Sequence, residues 1–131
     1  MKKIVKTEEE WRNELSPTVF EVTRKKGTES PFSGKYNKNS GVGTYTCICC
    51  GNKLFSSQTK FNSGTGWPSF YEKYSEDSIN YIDDNSFFLK RTEVICKKCD
   101  AHLGHVFDDG PNPTGKRYCI NSVSLDFCEE K

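Results

Sequence analysis

Residues 117–127 read Arg-Tyr-Cys-Ile-Asn-Ser-Val-Ser-Leu-Asp-Phe, a run of alternating character whose odd positions are Arg117, Cys119, Asn121, Val123, Leu125 and Phe127. Read as one unbroken strand, period two puts Arg117, Cys119 and Asn121 on one face about 7 Å apart, with Val123 onward entering the core on that face. A thiol between a cation and an amide follows from the alternation alone. Working outward, further short β-type runs occur at residues 19–22, 44–47, 78–82 and 87–95, divided by Gly, Pro, Asn and Asp clusters. The fold class is therefore mainly β, with antiparallel strands.

Ahead of these runs, Thr7 and Glu10 form a capping-box pattern, and Trp11 and Leu15 share a helical face. The spacing predicts a short N-terminal helix over residues 7–15, ended by Ser16-Pro17. Residues 27–43 are rich in turn formers but carry Phe32 and Tyr36, which predicts an ordered loop that buries both rings. Residues 108–116 predict a second long loop that feeds the last strand.

The chain has 131 residues, 34% of them hydrophobic, which is material for one modest core, and a single domain over residues 1–131 is expected. Lys and Arg number 19 against 18 Asp and Glu, a net charge of +1 that excludes capture of nucleic acid or an anionic membrane by charge alone. The start, MKKIVKTEEEW, has no apolar run of signal-peptide length and no later stretch is long enough to span a membrane. A cytoplasmic location and a monomeric state are the expectation.

Seven cysteines in a chain expected to stay in a reducing compartment point to metal binding or redox catalysis rather than a disulfide framework. Four of them, Cys47, Cys50, Cys96 and Cys99, form two CxxC knuckles separated by residues 51–95. Two intervening residues let both sulfurs of a knuckle face one ion, and two knuckles complete the closed tetrahedral shell of a structural zinc. One zinc per chain is predicted, brought together by the tertiary fold and without an open position for chemistry. A redox role for one knuckle is the alternative reading of the same spacing. Cys49 is expected to point away from the metal.

By the strand pattern alone, Cys119 stays open between an inert buried residue and a nucleophile. A thiol attacks as its thiolate, so Arg117 and a protonated histidine are the groups that would activate it. The two histidines occur together in Ala101-His102-Leu103-Gly104-His105 and can supply an acid. The alternative, a metal site completed with Asp100 or Asp108, is the weaker reading because four thiolates already satisfy a zinc.

Four stretches carry a family resemblance. Gly27–Phe32 (GTESPF), Ser63–Phe70 (SGTGWPSF), Ala101–Phe107 (AHLGHVF) and Gly115–Ser122 (GKRYCINS) resemble, in the same order, the B-type peptide methionine sulfoxide reductases, and the likeness runs from about Trp11 to Phe127. The resemblance implies two antiparallel sheets around one core, with zinc at the end away from the active site. It implies thiol-dependent reduction of the R epimer of methionine sulfoxide in proteins, since each epimer has its own enzyme. Carried over by motif, Cys119 attacks the sulfoxide sulfur, and Trp67 packs on the substrate methyl group. His102, His105 and Asn121 surround the sulfoxide oxygen, with His105 the first candidate for proton donor. Cys119 is left as a sulfenic acid, to be reduced by thioredoxin or another thiol.

One position departs from the family's commonest pattern. Many members carry, in the SGxGWPSF motif, a cysteine that resolves the sulfenic acid, where this chain has Thr65. Cys128 and Cys49 are the remaining thiols. A straight strand places Cys128 about 30 Å from Cys119 with opposite parity, and the metal-bound neighbours hold Cys49, so an external thiol is expected to complete the cycle. Two other functions fit parts of the sequence. A Cys-His-Asn hydrolase would need an oxyanion hole that nothing here marks. A small zinc-bound β domain acting as a binding module would not need Cys119, His105 and Trp67 together.

Overall fold

The computed structural model describes residues 2–130. The N-terminal segment folds as the capping box dictates: helix α1 spans Glu8–Glu14, with Thr7 Oγ1 accepting from Glu10 N and the Glu10 carboxylate accepting from Thr7 N, and it buries Trp11. The expected strand at residues 19–22 is instead the middle of a second helix, α2, over Pro17–Lys25. The same Ser16-Pro17 pair that stops α1 starts α2. Ser16 Oγ accepts from Val19 N, and Pro17 sits where its fixed φ suits a helix and its missing N–H has no cost. Phe20, Val22 and Thr23 then face the core, which outweighs the β preference of Val19 and Val22.

All strand pairs are antiparallel, in two sheets. The first, of three strands, contains β1 (Gly43–Cys47), β2 (Lys53–Ser56) and β9 (Leu125–Glu129) in the order β2-β1-β9. The second contains β3 (Lys60–Phe61), β4 (Ser69–Phe70), β5 (Ile79–Asp84), β6 (Arg91–Cys96), β7 (His102–Phe107) and β8 (Arg117–Ile120), in the order β3-β4-β8-β7-β6-β5. Their shared core is aromatic. Phe55 of β2 stacks on Phe70 of β4 with ring centroids 4.5 Å apart, and Tyr45 of β1 meets Phe70 edge-on at 5.1 Å. The expected mainly β fold of two antiparallel sheets is the observed one.

The stretch 117–127 is not one strand. It breaks after Ile120 into a 3-10 turn, Ser122–Ser124, and β9 continues in the other sheet. The cause is hydrogen bonding of this segment, through its serine side chains and its backbone, to partners distant in sequence. Ser122 Oγ accepts from Tyr36 N, Ser124 Oγ donates to the carbonyl of His102, and Asn121 N donates to the carbonyl of Leu103. Val123 is consequently half-buried at the surface, and the core face resumes only at Leu125. The expected strand at 87–95 is also shortened. Asp84 Oδ1 accepts from Ser86 N, a 3-10 turn follows at Ser86–Phe88, and β6 begins at Arg91, opposite Asp84.

Of the two rings expected to anchor the loop 27–43, Tyr36 is buried but Phe32 is 66% exposed. Phe32 N instead donates to the carbonyl of Gly66, which ties this loop to the Thr65 loop by backbone. No helix among the described residues is long and apolar enough to cross a membrane.

Candidate active site

Cys119 lies mid-strand on β8, opposite His105 of β7 on one side and Ser69 of β4 on the other. Such a row faces one side of the sheet, so the register itself puts the thiol beside an imidazole. They open into a small cleft of about 120 Å³ lined by Thr28, Trp67, Arg91, His105, Cys119 and Asn121, with Gly104 and Phe107 beneath.

Cys119 is half-buried, and its nearest polar neighbour is Thr65 Oγ1, 3.9 Å from Sγ. Burial pushes the thiol above its ordinary range, and the negative charge of Glu29 adds to this, against the opposing pull of Thr65 and Arg117. The guanidinium of Arg117 is shared: Nε donates to Asp109 Oδ1 at 2.8 Å, and the group lies 4.4 Å over the Phe107 ring. The pull of Arg117 is toward the thiolate, and burial outweighs it, so the Cys119 thiol stays above its ordinary range.

Trp67 is fixed by a hydrogen bond from Nε1 to the carbonyl of Glu29, 3.0 Å long, and presents its ring to the cleft. Asn121 reaches the cleft although it follows the end of β8. Its Oδ1 accepts from Glu29 N at 3.0 Å and its Nδ2 donates to Leu103 O at 3.1 Å, so one Nδ2 hydrogen is left for a ligand. His105 lines the cleft, with Nε2 2.8 Å from Asp84 Oδ2.

His102 is placed differently. Spaced three residues apart on a regular strand, the two histidines would face opposite sides, but the register slips between Val94 and Ile95, and the rings meet edge-on with centroids 5.7 Å apart. His102 is buried outside the cleft, with Nδ1 2.6 Å from Glu93 Oε2, while Lys26 Nζ lies 3.2 Å from Glu93 Oε1. Burial lowers its pKa, against Glu93, and holds it neutral.

Of the site residues that escaped the sequence reading, Arg91, Glu29 and Gly104 are instructive. Arg91 lines the cleft only because β6 is two strands from β8, a relation no local pattern reveals. Glu29 is buried, and its backbone and carboxylate together hold Trp67, Asn121 and Val123 N. Gly104 did carry a signal, as a glycine inside a strand pattern: a Cβ there would lie 2.0 Å from the Cys119 carbonyl oxygen. β7 could not approach β8 so closely with any other residue.

At the far end of β6, the sulfurs of Cys47, Cys50, Cys96 and Cys99 lie within 4.8 Å of one another. The two knuckles fold alike. Gly51 N donates to Cys47 O and Asp100 N to Cys96 O, each at 2.8 Å, and both donors adopt positive φ, at 80° and 63°. The Cys47–Cys99 and Cys50–Cys96 sulfur distances are both 3.6 Å, close to the roughly 3.8 Å edge of a tetrahedral zinc–thiolate site. The four cysteines can thus hold a metal ion that ties β1 of one sheet to β6 of the other. Arg24 supports the cluster by donating to both Cys99 O and Cys99 Sγ, and its guanidinium lies 4.0 Å over Trp11. Cys49 is outside the four-thiol group, but its thiol does not turn away from the cluster as expected: it lies near Cys47 and Cys99, with Thr23 and Arg24 beside it. From Arg91 in the cleft to Cys96 at the cluster is five residues of strand, roughly 17 Å.

A half-buried thiol with an imidazole opposite it and an indole lining the same cleft is a setting suited to thiol chemistry. The SelR domain family matches residues 15–129, and the chain belongs to that family. It is 60% identical over 131 residues to a protein of Methanosarcina mazei named peptide methionine sulfoxide reductase MsrB, covering 98% of this chain and 92% of the relative. A Pseudomonas fluorescens protein of the same name is 60% identical over 127 residues, covering 97% of this chain and 98% of the relative. A third, from Methanosarcina barkeri, is 59% identical over 132 residues, covering 99% and 92%.

Proposed function

We propose that residues 1–131 act as one domain that reduces the R epimer of methionine sulfoxide in proteins to methionine, with Cys119 as nucleophile. The observation that carries this reading is that Cys119 lines one small cleft together with the Trp67 indole and His105. The indole suits the methyl and thioether side of the substrate, and His105 suits the oxygen. As Cys119 sulfur bonds to the substrate sulfur, the sulfoxide oxygen gains negative charge and takes up a proton, and donors placed there favour the transition state over the bound substrate. In breakdown the protonated oxygen passes from the substrate sulfur to the Cys119 sulfur as the bond between the two sulfurs breaks, which releases the thioether and leaves Cys119 as a sulfenic acid: the substrate sulfur is reduced by two electrons and Cys119 oxidised by two. His105 is the donor in this scheme, because burial keeps His102 neutral and its Nδ1 is engaged by Glu93. His102 and Asn121 then act by shaping the oxygen side. Turnover of a peptide carrying methionine R-sulfoxide, with dithiothreitol as reductant and the S epimer left untouched, tests the assignment. A protein that binds the peptide without turning it over would be a binding module instead.

Arg117 acts on the thiol rather than on the substrate. Since burial holds the Cys119 pKa up and the guanidinium opposes it, Arg117→Ala should move the midpoint of Cys119 alkylation by iodoacetamide to higher pH. An unchanged profile would assign the activation to other groups.

The metal read from the four thiolates is zinc, one ion per chain, with a structural role. We read the location as cytoplasmic and the chain as a monomer. For recycling, we infer an external thiol, thioredoxin or a small dithiol, which forms a mixed disulfide with Cys119 and then leaves as a disulfide with release of water. The turn at 122–124 replaces the straight strand on which Cys128 was expected to be remote, but the separation has a firmer basis. β9 pairs with β1 from Leu125 to Glu129, Glu130 N donates to Val42 O, and Cys128 lines a groove that shares no residue with the cleft. Cys128→Ser combined with Cys49→Ser should leave thioredoxin-dependent turnover within about twofold of the parent. Thr65→Cys should instead introduce a disulfide to Cys119 during turnover, because the residue-65 side chain already lies 3.9 Å from Sγ. A Cys119–Cys128 disulfide in the unaltered protein would contradict this route.

A further inference from the structure

We propose that Asp84 is a positioning residue for the reaction, fixing the proton on Nε2 of His105 so that Nδ1 is the ring atom that exchanges the reaction's proton. This rests on the reading of His105 as donor to the sulfoxide oxygen. Asp84 is the last residue of β5, two strands from β7 and on the side away from β8, which carries Cys119. Its carboxylate is held at both oxygens. Oδ1 accepts from Ser86 N at 3.0 Å, and Oδ2 accepts from Arg91 Nη2 at 3.3 Å as well as from His105 Nε2 at 2.8 Å. Arg91 also donates to Ser86 Oγ at 3.3 Å, which closes the group on itself.

Hydrogen bonds from Ser86, then from His105, with the charge of Arg91, hold the Asp84 carboxyl well below the usual carboxylate range. An ionised carboxylate only accepts, so Nε2 carries its hydrogen whether His105 is neutral or charged. The other groups facing the ring do not compete for that nitrogen. Glu93 stands opposite His105 on β6 but is engaged by His102 and Lys26, Cys119 stands opposite on β8, and the Phe107 ring lies 6.5 Å away. With Nε2 turned toward β5, the edge of the ring left to meet a ligand is the one bearing Nδ1. The neutral ring accepts there and the imidazolium donates there. A carboxylate on the far nitrogen orients and stabilises an imidazolium that forms and discharges in each cycle.

The test is a double-mutant cycle of Asp84→Asn and His105→Gln on the zinc-loaded protein, read by steady-state kinetics and by 15N NMR of the imidazole nitrogens. Asp84→Asn should lower kcat about 10- to 100-fold, with KM changed far less, the scale of removing a histidine's orienting group. In the wild type, His105 Nε2 should show the signature of a proton-bearing nitrogen, and in Asp84→Asn that signature should be redistributed between the two nitrogens. Adding Asp84→Asn to His105→Gln should cost nothing further. Asp84→Glu, which keeps the charge beside Arg91 but moves it, should give an intermediate loss, and zinc content serves as the check of folding. Additive losses, or unchanged 15N signals in Asp84→Asn, would overturn the proposal. A wild-type rate in His105→Gln would overturn the donor reading and the proposal with it, whereas a slow His105→Gln beside a wild-type-like Asp84→Asn would overturn the proposal alone.

Discussion

Cys119→Ser is expected to reduce turnover of a methionine R-sulfoxide peptide by several orders of magnitude while leaving the thermal transition within a few degrees of the parent. The size of the loss follows from the chemistry. A serine hydroxyl is a poor nucleophile near neutral pH and cannot form the sulfenic acid through which the oxygen leaves, so the covalent route is removed rather than slowed, and loss of a covalent nucleophile is among the largest single-residue effects in enzymes. The small structural effect follows from the site. Cys119 is half-buried, its strand hydrogen bonds belong to its backbone, and its sulfur lies 3.9 Å from Thr65 Oγ1, a contact a hydroxyl can keep. Peptide binding should survive, because Trp67 is held by Glu29 and not by Cys119. Steady-state turnover with dithiothreitol, a melting curve and a peptide titration separate the three quantities. Substantial residual turnover would place the nucleophile at another thiol.

What made Cys119 legible was its setting within two kinds of sequence order. The alternation around it gives the side of the strand, and that held from Arg117 to Ile120. It failed at Asn121 because the Asn-Ser-Val-Ser segment satisfies its hydrogen bonds through side chains to Tyr36 and His102, partners distant in sequence. Asn121 still lines the cleft, for a reason period two does not contain. The CxxC spacings were legible because two residues between sulfurs is a local geometric condition, met by the same turn at Gly51 and at Asp100. The helix α2 was misread because Val19-Phe20-Glu21-Val22 has a strand composition, while the decisive Ser16-Pro17 signal serves equally as the stop of one helix and the start of the next. Arg91 and Asp84 belong to the part that a single sequence cannot show. Their bearing on the cleft comes from the order of strands in the sheet and from the register of β5, β6 and β7, which are properties of pairing.

Cys96→Ser should lose the bound zinc and lower the melting temperature by on the order of 15 °C. The argument starts from where the cluster sits. Cys47 ends β1 in the three-stranded sheet and Cys96 ends β6 in the six-stranded sheet, so an ion held by both knuckles links the two sheets across a closed segment, residues 51–95. A cross-link over a loop of that length restricts the unfolded chain by about 4 kcal/mol on the chain-entropy scale. With the entropy of unfolding expected for a chain of this size, that converts to the stated shift. Loss of a ligand also leaves the remaining thiols buried without their ion, and the Arg24 guanidinium, which donates to Cys99 Sγ at 3.1 Å, would then face a neutral sulfur. Activity should fall less steeply than stability when assayed well below the transition, because the row that carries Cys119 and His105 pairs with Glu93, three residues or roughly 10 Å along β6 from Cys96, and no ligand of the cluster lines the cleft. Metal analysis, a melting curve and turnover at low temperature make the comparison, with chelation of the parent protein as the reversible control. Full metal content in Cys96→Ser would remove this cysteine from the ligand set. A loss of activity at low temperature as large as that in Cys119→Ser would mean that the cluster acts on the cleft directly, and not by holding the sheets together.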